Sequence, residues 1–347
     1  MRCKKTNNIV IFFLLCIIIF GQEAKTYQQN KKRITNNINK GKLNTDINLS
    51  KIWEIDTSKI RLNHIRDIAI GPTNKIYVCE KNAVKIFNKN GKFVNSFQAK
   101  KRKVMRFIPR EPFLVDIEID SKGNILVLTV QGNSIQRYNK EGTFLNEIDL
   151  SDLGYVEPIF SFDLDTQDNI YYKAMIDGKL IHKLNKGGEL IKSFGDTVNV
   201  LTRYEKHMNC YGGLTIRDDK IYTTTQLPYT IHVYDTSGKK LKEIINNTDY
   251  EKKPYIGKKN MFGIGPLNIL FQLRNSQIDK NGNIFVCGHY EDKNKHWLPF
   301  IDIYSSDGQI VIHTLPDFNI EGLLIDKNGS LVLFNDDMIY KYNYALK

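Results

Sequence analysis

The sequence predicts an all-β fold, a six-bladed β-propeller closed by its own N-terminal strand, and three observations predict it. A polar turn recurs six times between apolar strands. A second turn, with glycine at its end, follows in five of the six units. The units repeat every 45 to 63 residues, the length of four antiparallel strands.

The first turn reads Asp-Ser-Lys-Gly-Asn-Ile at 120–125, Asp-Thr-Gln-Asp-Asn-Ile at 165–170, Asp-Lys-Asn-Gly-Asn-Ile at 279–284 and Asp-Lys-Asn-Gly-Ser-Leu at 326–331. Worn copies stand at 71–76 and 217–221. Asn-Lys-Asn-Gly at 88–91, Asn-Lys-Glu-Gly at 139–142, Asn-Lys-Gly-Gly at 185–188, Asp-Thr-Ser-Gly at 235–238 and Ser-Ser-Asp-Gly at 305–308 form the second turn. Both are hairpin signals, because Asn, Asp and Gly accept positive φ. Counting from Ile76, Ile125, Ile170, Ile221, Ile284 and Leu331, the spacings are 49, 45, 51, 63 and 47 residues.

The last unit is one strand short, since the chain ends just after 338–344. An orphan strand, 51–57, precedes the first unit and matches the outer strands 143–150 and 240–245. It is expected to complete the sixth blade and cover its edge, with Trp53 as a packing residue.

The repeats, best seen at 115–128 and 135–144, resemble those of NHL-type six-bladed propellers, in particular the secreted bacterial six-bladed β-propeller proteins of undefined activity. The resemblance spans 51–347. That family usually places Asp four residues after each anchor, where this chain has Glu80, Thr129, Ala174, Thr225, Gly288 and Asn335. The fold therefore carries over, and a specific NHL function does not.

Residues 1–21 read as a signal peptide. Arg2, Lys4 and Lys5 precede twelve apolar residues at 9–20, too few to cross a bilayer as a helix. Leu14 and Leu15 stand where a lipobox wants a small residue, so Cys16 is read as apolar filler and not as a lipid anchor. Residues 22–50, rich in Asn, Lys and Gln, read as a flexible tether. Residues 51–347 are the propeller. The chain is expected to be exported, to the periplasm, cell surface or medium, and to meet a membrane only through its signal or tether.

The formal charge of +12 is mostly a property of the N-terminal segments. Residues 1–21 carry three bases, and 22–50 six bases against two acids, so the propeller holds about +5. A nucleic-acid partner is not expected. Cys79, Cys210 and Cys287 remain after removal of the signal, an odd and widely spaced set that suits neither a disulfide framework nor a zinc site.

In a propeller blade, the strand 1–2 and 3–4 turns share one face. The strand 2–3 loops and the blade connections share the other. All the extra length here falls on the second face, at 98–113, 195–211, 246–273 and 287–298. Long loops are usually kept for function. These hold the basic run Lys100, Lys101, Arg102, Lys103 with Arg106, and the rings of Tyr204, Tyr211, Tyr255, His289, Tyr290 and Trp297. Aromatic faces stack on sugars or grip peptide side chains, and cations orient an anionic ligand. The expected partner is a glycan, a peptide or another protein, bound without catalysis.

The alternative is a metal-dependent hydrolase or lyase, lactonase-like, acting at the channel mouth, because propellers that resemble this one include calcium-dependent lactonases and a zinc-dependent amidating lyase. The channel end of each inner strand falls at Asp67, Asp116, Ser161, Gly213, Asn275 and Gly322, beside Arg66, Arg274 and Glu321. Asp67, Asp116 and Asn275 could offer oxygens to calcium, with Glu321 as base. Two glycines in the ring speak against a tight site, and no cofactor is otherwise expected. The seven histidines have no zinc spacing, and no nucleophile elbow is present.

Overall fold

The computed structural model describes residues 47–55, 60–104, 108–130, 133–150, 159–196, 208–226, 229–246, 255–256, 267–268, 271–291, 297–314, 316 and 319–346. They form six four-stranded antiparallel sheets, two two-stranded ribbons and one short helical stretch at 208–210. No helix among them is long and apolar enough to cross a membrane.

Each sheet repeats one plan. Its innermost strands are Asp67–Ile70, Leu114–Ile119, Phe162–Leu164, Leu214–Arg217, Phe271–Ile278 and Gly322–Ile325. Second strands such as Ile76–Cys79, Ile125–Thr129 and Leu331–Phe334 are buried along their whole length. Fourth strands such as Phe93–Gln98 are mostly exposed, apolar residues included. The gradient from β-branched interior to lysine-rich rim is what a sheet packed on both faces near an axis requires.

The turns owe their recurrence to the leading Asp or Asn. Asp120 Oδ1 accepts the N–H groups of Lys122 and Asn124, at 3.0 and 2.8 Å. Asp165, Asp279 and Asp326 do the same in their own turns. Asn88, Asn139 and Asn185 do it in the second turn. Where the third unit lacks the glycine, Asp168 adopts φ 63°. Its carboxylate then accepts the N–H and hydroxyl of Ser121 in the neighbouring sheet, at 2.8 and 2.7 Å.

The apolar core is divided into six clusters, each wedged between consecutive sheets. One of them joins the last sheet to the first through Ile55, Ile68, Val78, Phe87, Val332, Phe334 and Ile339. The innermost strands likewise touch in succession, and Gly322–Ile325 touches Asp67–Ile70.

The outer place in the last sheet is taken by Ile47–Ile55, paired antiparallel with Ile339–Leu346. The strand begins earlier than the expected 51–57, so 47–50 belong to it and not to a tether. Residues 56–57 lie outside the described residues. Trp53 is half-buried in the adjoining core. A Cβ on Gly91 would meet Trp53 and Ile55, just as one on Gly142 would meet Phe97 and one on Gly188 would meet Ile148. The N-terminal strand thus packs against the first sheet as each outer strand packs against the next.

Candidate functional site

Inner strands are sheet edges, and their N–H and C=O groups need partners across each gap. Side chains at the channel ends provide them. Asp67 Oδ2 accepts the N–H of Ile117 at 3.3 Å, and Asp116 Oδ2 accepts that of Phe162 at 2.7 Å. Ser161 Oγ accepts the N–H of Leu214 at 3.1 Å. Asn275 accepts from Leu323 N–H at 3.2 Å and donates to its carbonyl at 2.8 Å. Gly213 has no side chain to offer, and Thr215, two residues on, donates to Ser276 O at 2.5 Å. Asp163 adds a second tier, accepting Ile216 N–H at 2.6 Å.

Five of the six ring residues, all but Gly322, also line a cavity of about 160 Å³ that runs towards the strand 1–2 turns. Glu118, Gln277 and Leu324 line it from positions two residues beyond the ring. Burial pushes Asp67 and Asp116 above the usual carboxylate range. Asp116 rises further, because Asp67 lies beside it and accepts its proton. Glu118 is raised by burial and then by Asp163 and Asp67.

Calcium prefers six or more oxygens. Both Asp116 oxygens already accept backbone N–H groups, and the Asn275 amide is bonded at both ends, its oxygen also taking Cys287 Sγ–H. Among the described residues no three His, Cys, Asp or Glu side chains are arranged to hold a metal ion. The oxygens of the ring thus already serve the backbone of the next sheet.

A second cluster lies at the other end of the channel, on the face of the blade connections. Arg274 pairs with Glu321 at 3.2 Å. Arg66 lies over the Phe113 ring, 4.8 Å from its centroid. Burial and then the neighbouring Arg274 lower the Arg66 pKa, and its Nε is buried without a hydrogen-bond partner. Burial alone would raise Glu321, but Arg274, then His289, Asn319 and Arg66, hold it below the usual range.

A relay orients His289. Asn319 Nδ2 donates to Glu321 Oε1 at 3.1 Å, which leaves Asn319 Oδ1 to accept from His289 Nε2 at 2.8 Å. Burial lowers the His289 pKa and favours the neutral ring, so Nδ1 is a bare lone pair, buried and without a partner. Residues from four sheets meet here.

No protein-family model matches the chain, and no curated protein matches it. Solved structures do. A Bacteroides fragilis protein designated as exported aligns with a TM-score of 0.57 at 14% identity, over 87% of this chain and 96% of that one. A gluconolactonase from Xanthomonas campestris aligns at 0.55 and 10%, over 82% and 87%. Virginiamycin B lyase from Staphylococcus aureus aligns at 0.53 and 12%, over 87% and 100%. The chain is a β-propeller. At these identities the likeness carries the propeller's fold and says nothing of its chemistry.

The other residues expected on the propeller's connection face are distributed as follows. Lys100 lies over the Phe144 ring, Nζ 3.8 Å from the centroid, and Lys101 pairs with Glu111. Arg102 and Lys103 stand on the ribbon Arg102–Val104, paired with Ile108–Arg110. Tyr255 stands on the ribbon Tyr255–Ile256, paired with Leu267–Asn268. The Tyr211 ring stacks on Phe160 at 4.5 Å, and its carbonyl accepts from the buried Lys173 Nζ at 2.5 Å. Arg106 and Tyr204 lie outside the described residues.

His289, Tyr290 and Trp297 are not on a loop, as expected from 287–298. The fifth sheet has longer strands, Ile284–Glu291 and Trp297–Tyr304, which carry all three. The ladder runs past Cys287 as far as Glu291 paired with Trp297, and the added rungs carry His289 beyond the apolar run. Sequence reading missed Glu118, Asp163, Asn319 and Phe113. Period-two alternation from Asp116 and Ser161 points to the first two. Only packing brings the others in.

Proposed function

We propose that the chain is an exported, non-enzymatic binding propeller of six blades, closed by the strand Ile47–Ile55 and NHL-like in its repeats. It engages a glycan, a peptide or a partner protein through its connection face. The observation that carries the reading is the guanidinium pair at the channel mouth. Arg274 pairs with Glu321, Arg66 beside it is held by the charges of Asp336 and then Glu321, and the Arg66 Nε lacks a partner. An anionic group on the ligand would complete this arrangement, since guanidinium forks suit carboxylate and sulfate. Tyr211, Tyr290 and Trp297 supply flat surfaces around it.

The test is a binding screen of the purified chain against acidic glycans and acidic peptides. Arg66→Gln and Trp297→Ala are then compared with the unaltered chain for any ligand found. Each change is expected to weaken binding at least tenfold, about 1.4 kcal/mol. Affinity unchanged in both variants would remove the connection face as the site.

A second reading is an enzyme at the same mouth, favoured by the His289 geometry. A neutral imidazole, held through Asn319 by Glu321, is arranged as a general base is. Turnover of lactone or ester substrates that is lost in His289→Gln would support it.

A further inference from the structure

The cavity on the far side of the Asp67–Asn275 ring has features that the binding face does not explain. Asp67, Asp116 and Glu118 line it from two neighbouring sheets, and Asp326, whose carboxylate is paired with Lys341 at 2.6 Å, lines it from the last. Burial raises the pKa of the first three, and the groups that modify it further are other carboxylates and backbone amides. Lys327 lines the rim, but its Nζ is bonded to Pro72 O at 2.8 Å. Across the cavity stands Ser276, only 1% exposed, whose hydroxyl has no hydrogen-bond partner. A buried hydroxyl left unpaired in the wall facing the carboxyls marks a place where a polar ligand group is missing. The remaining wall is apolar, with Ile70, Leu324 and Ile325 towards the strand 1–2 turns.

We propose that this cavity is a binding site for a small organic ammonium ion, its charged head held by Asp67, Asp116 and Glu118 and its apolar body lying along Ile70, Leu324 and Ile325. An ammonium donates three hydrogen bonds in freely chosen directions. It is therefore served by carboxyls whose other lone pairs are tied to backbone amides, where a calcium shell is not. The volume also fits. At about 160 Å³ it matches the apolar cavity of about 150 Å³ known to hold benzene. A ligand of aminomethyl-benzene size would fill it, with Ser276 Oγ in the wall opposite the three carboxyls.

The proposal is independent of the connection-face reading, because the two sites lie on opposite sides of the ring. It is tested by the melting temperature and by calorimetry of the purified chain with benzylamine, cyclohexylamine and 1,4-diaminobutane at one fixed neutral pH. Benzyl alcohol serves as the uncharged counterpart, and calcium chloride as the metal control. Saturable stabilisation by at least one amine and not by benzyl alcohol is expected. Glu118→Gln, which keeps size and shape, should weaken it at least about tenfold, the loss typical of a hydrogen bond to a charged group. Ser276→Ala should weaken it severalfold and guards against a folding defect in the first variant. The proposal is overturned if no amine binds, if benzyl alcohol stabilises equally, if only calcium does, or if both variants bind as the unaltered chain does.

Discussion

Gly142 illustrates what single residues contribute. It sits at φ 89° at the end of a second turn, and a Cβ there would collide with the Phe97 ring of the preceding sheet. Gly142→Ala therefore combines left-handed strain with a clash and should cost about 1–3 kcal/mol, read from chemical denaturation midpoints. Asp302 shows a second residue-level effect. Its carboxyl is fully buried beside Asn246 and Tyr304, and burial pushes its pKa to about 7. An unfolded Asp titrates near 3.9, so the folded state holds the extra proton between those values. The stabilisation is complete below about pH 4 and is lost as pH rises through 7. From pH 6 to 8 this group should cost about 1 kcal/mol of stability. That component should vanish in Asp302→Asn when unfolding is followed at both pH values.

Sheets in this protein are joined by side chains where backbone ladders stop. Ser161→Ala would leave the buried Leu214 N–H without its acceptor, at a cost of about 1–3 kcal/mol. The same change at an exposed turn serine should be nearly silent, which makes the pair a controlled comparison of melting temperatures. The strand Ile47–Ile55 is the largest single element of this kind. It buries Ile47 and Ile55, together worth about 3–6 kcal/mol, and covers the edge of Ile339–Leu346. Deleting residues 1–55 should lower stability by at least that amount. The bared edge should also drive self-association, measurable by light scattering.

At the scale of the molecule, six wedge-shaped cores joined in succession couple every sheet to two others. Cys79, Cys210 and Cys287 report on three of its regions, all buried as free thiols. Burial raises the pKa of Cys79 well above the ordinary thiol value and that of Cys287 to about 12, so neither is nucleophilic in the native state. All three should resist alkylation until denaturant unfolds the chain, and then react in one transition. Labelling of one thiol well before the others, resolved by mass spectrometry, would show that the sheets open separately. The same architecture separates two chemical environments along the axis. Two arginines, paired with or facing acidic groups, gather at the connection face, and buried carboxyls raised above their usual range line the cavity beyond the ring.

The amino-acid sequence by itself determined the repeat, the number of sheets and the channel ring. Each of these depends on interactions within about five residues or on strict alternation. An Asp or Asn bonding the amides two and four positions later is written into the turn, and period two carries the channel face from Asp116 to Glu118. Tertiary structure decided what the ring residues do. Asp67, Asp116 and Asn275 have the composition of a cation site, yet their partners are backbone groups of the next sheet, which no spacing reveals. It also decided where the connection-face cluster lies, because Arg66, Phe113, Arg274 and Glu321 meet only when first and last sheets adjoin. Distant residues become neighbours through packing, and packing is set by the summed burial of six cores and not by any local motif.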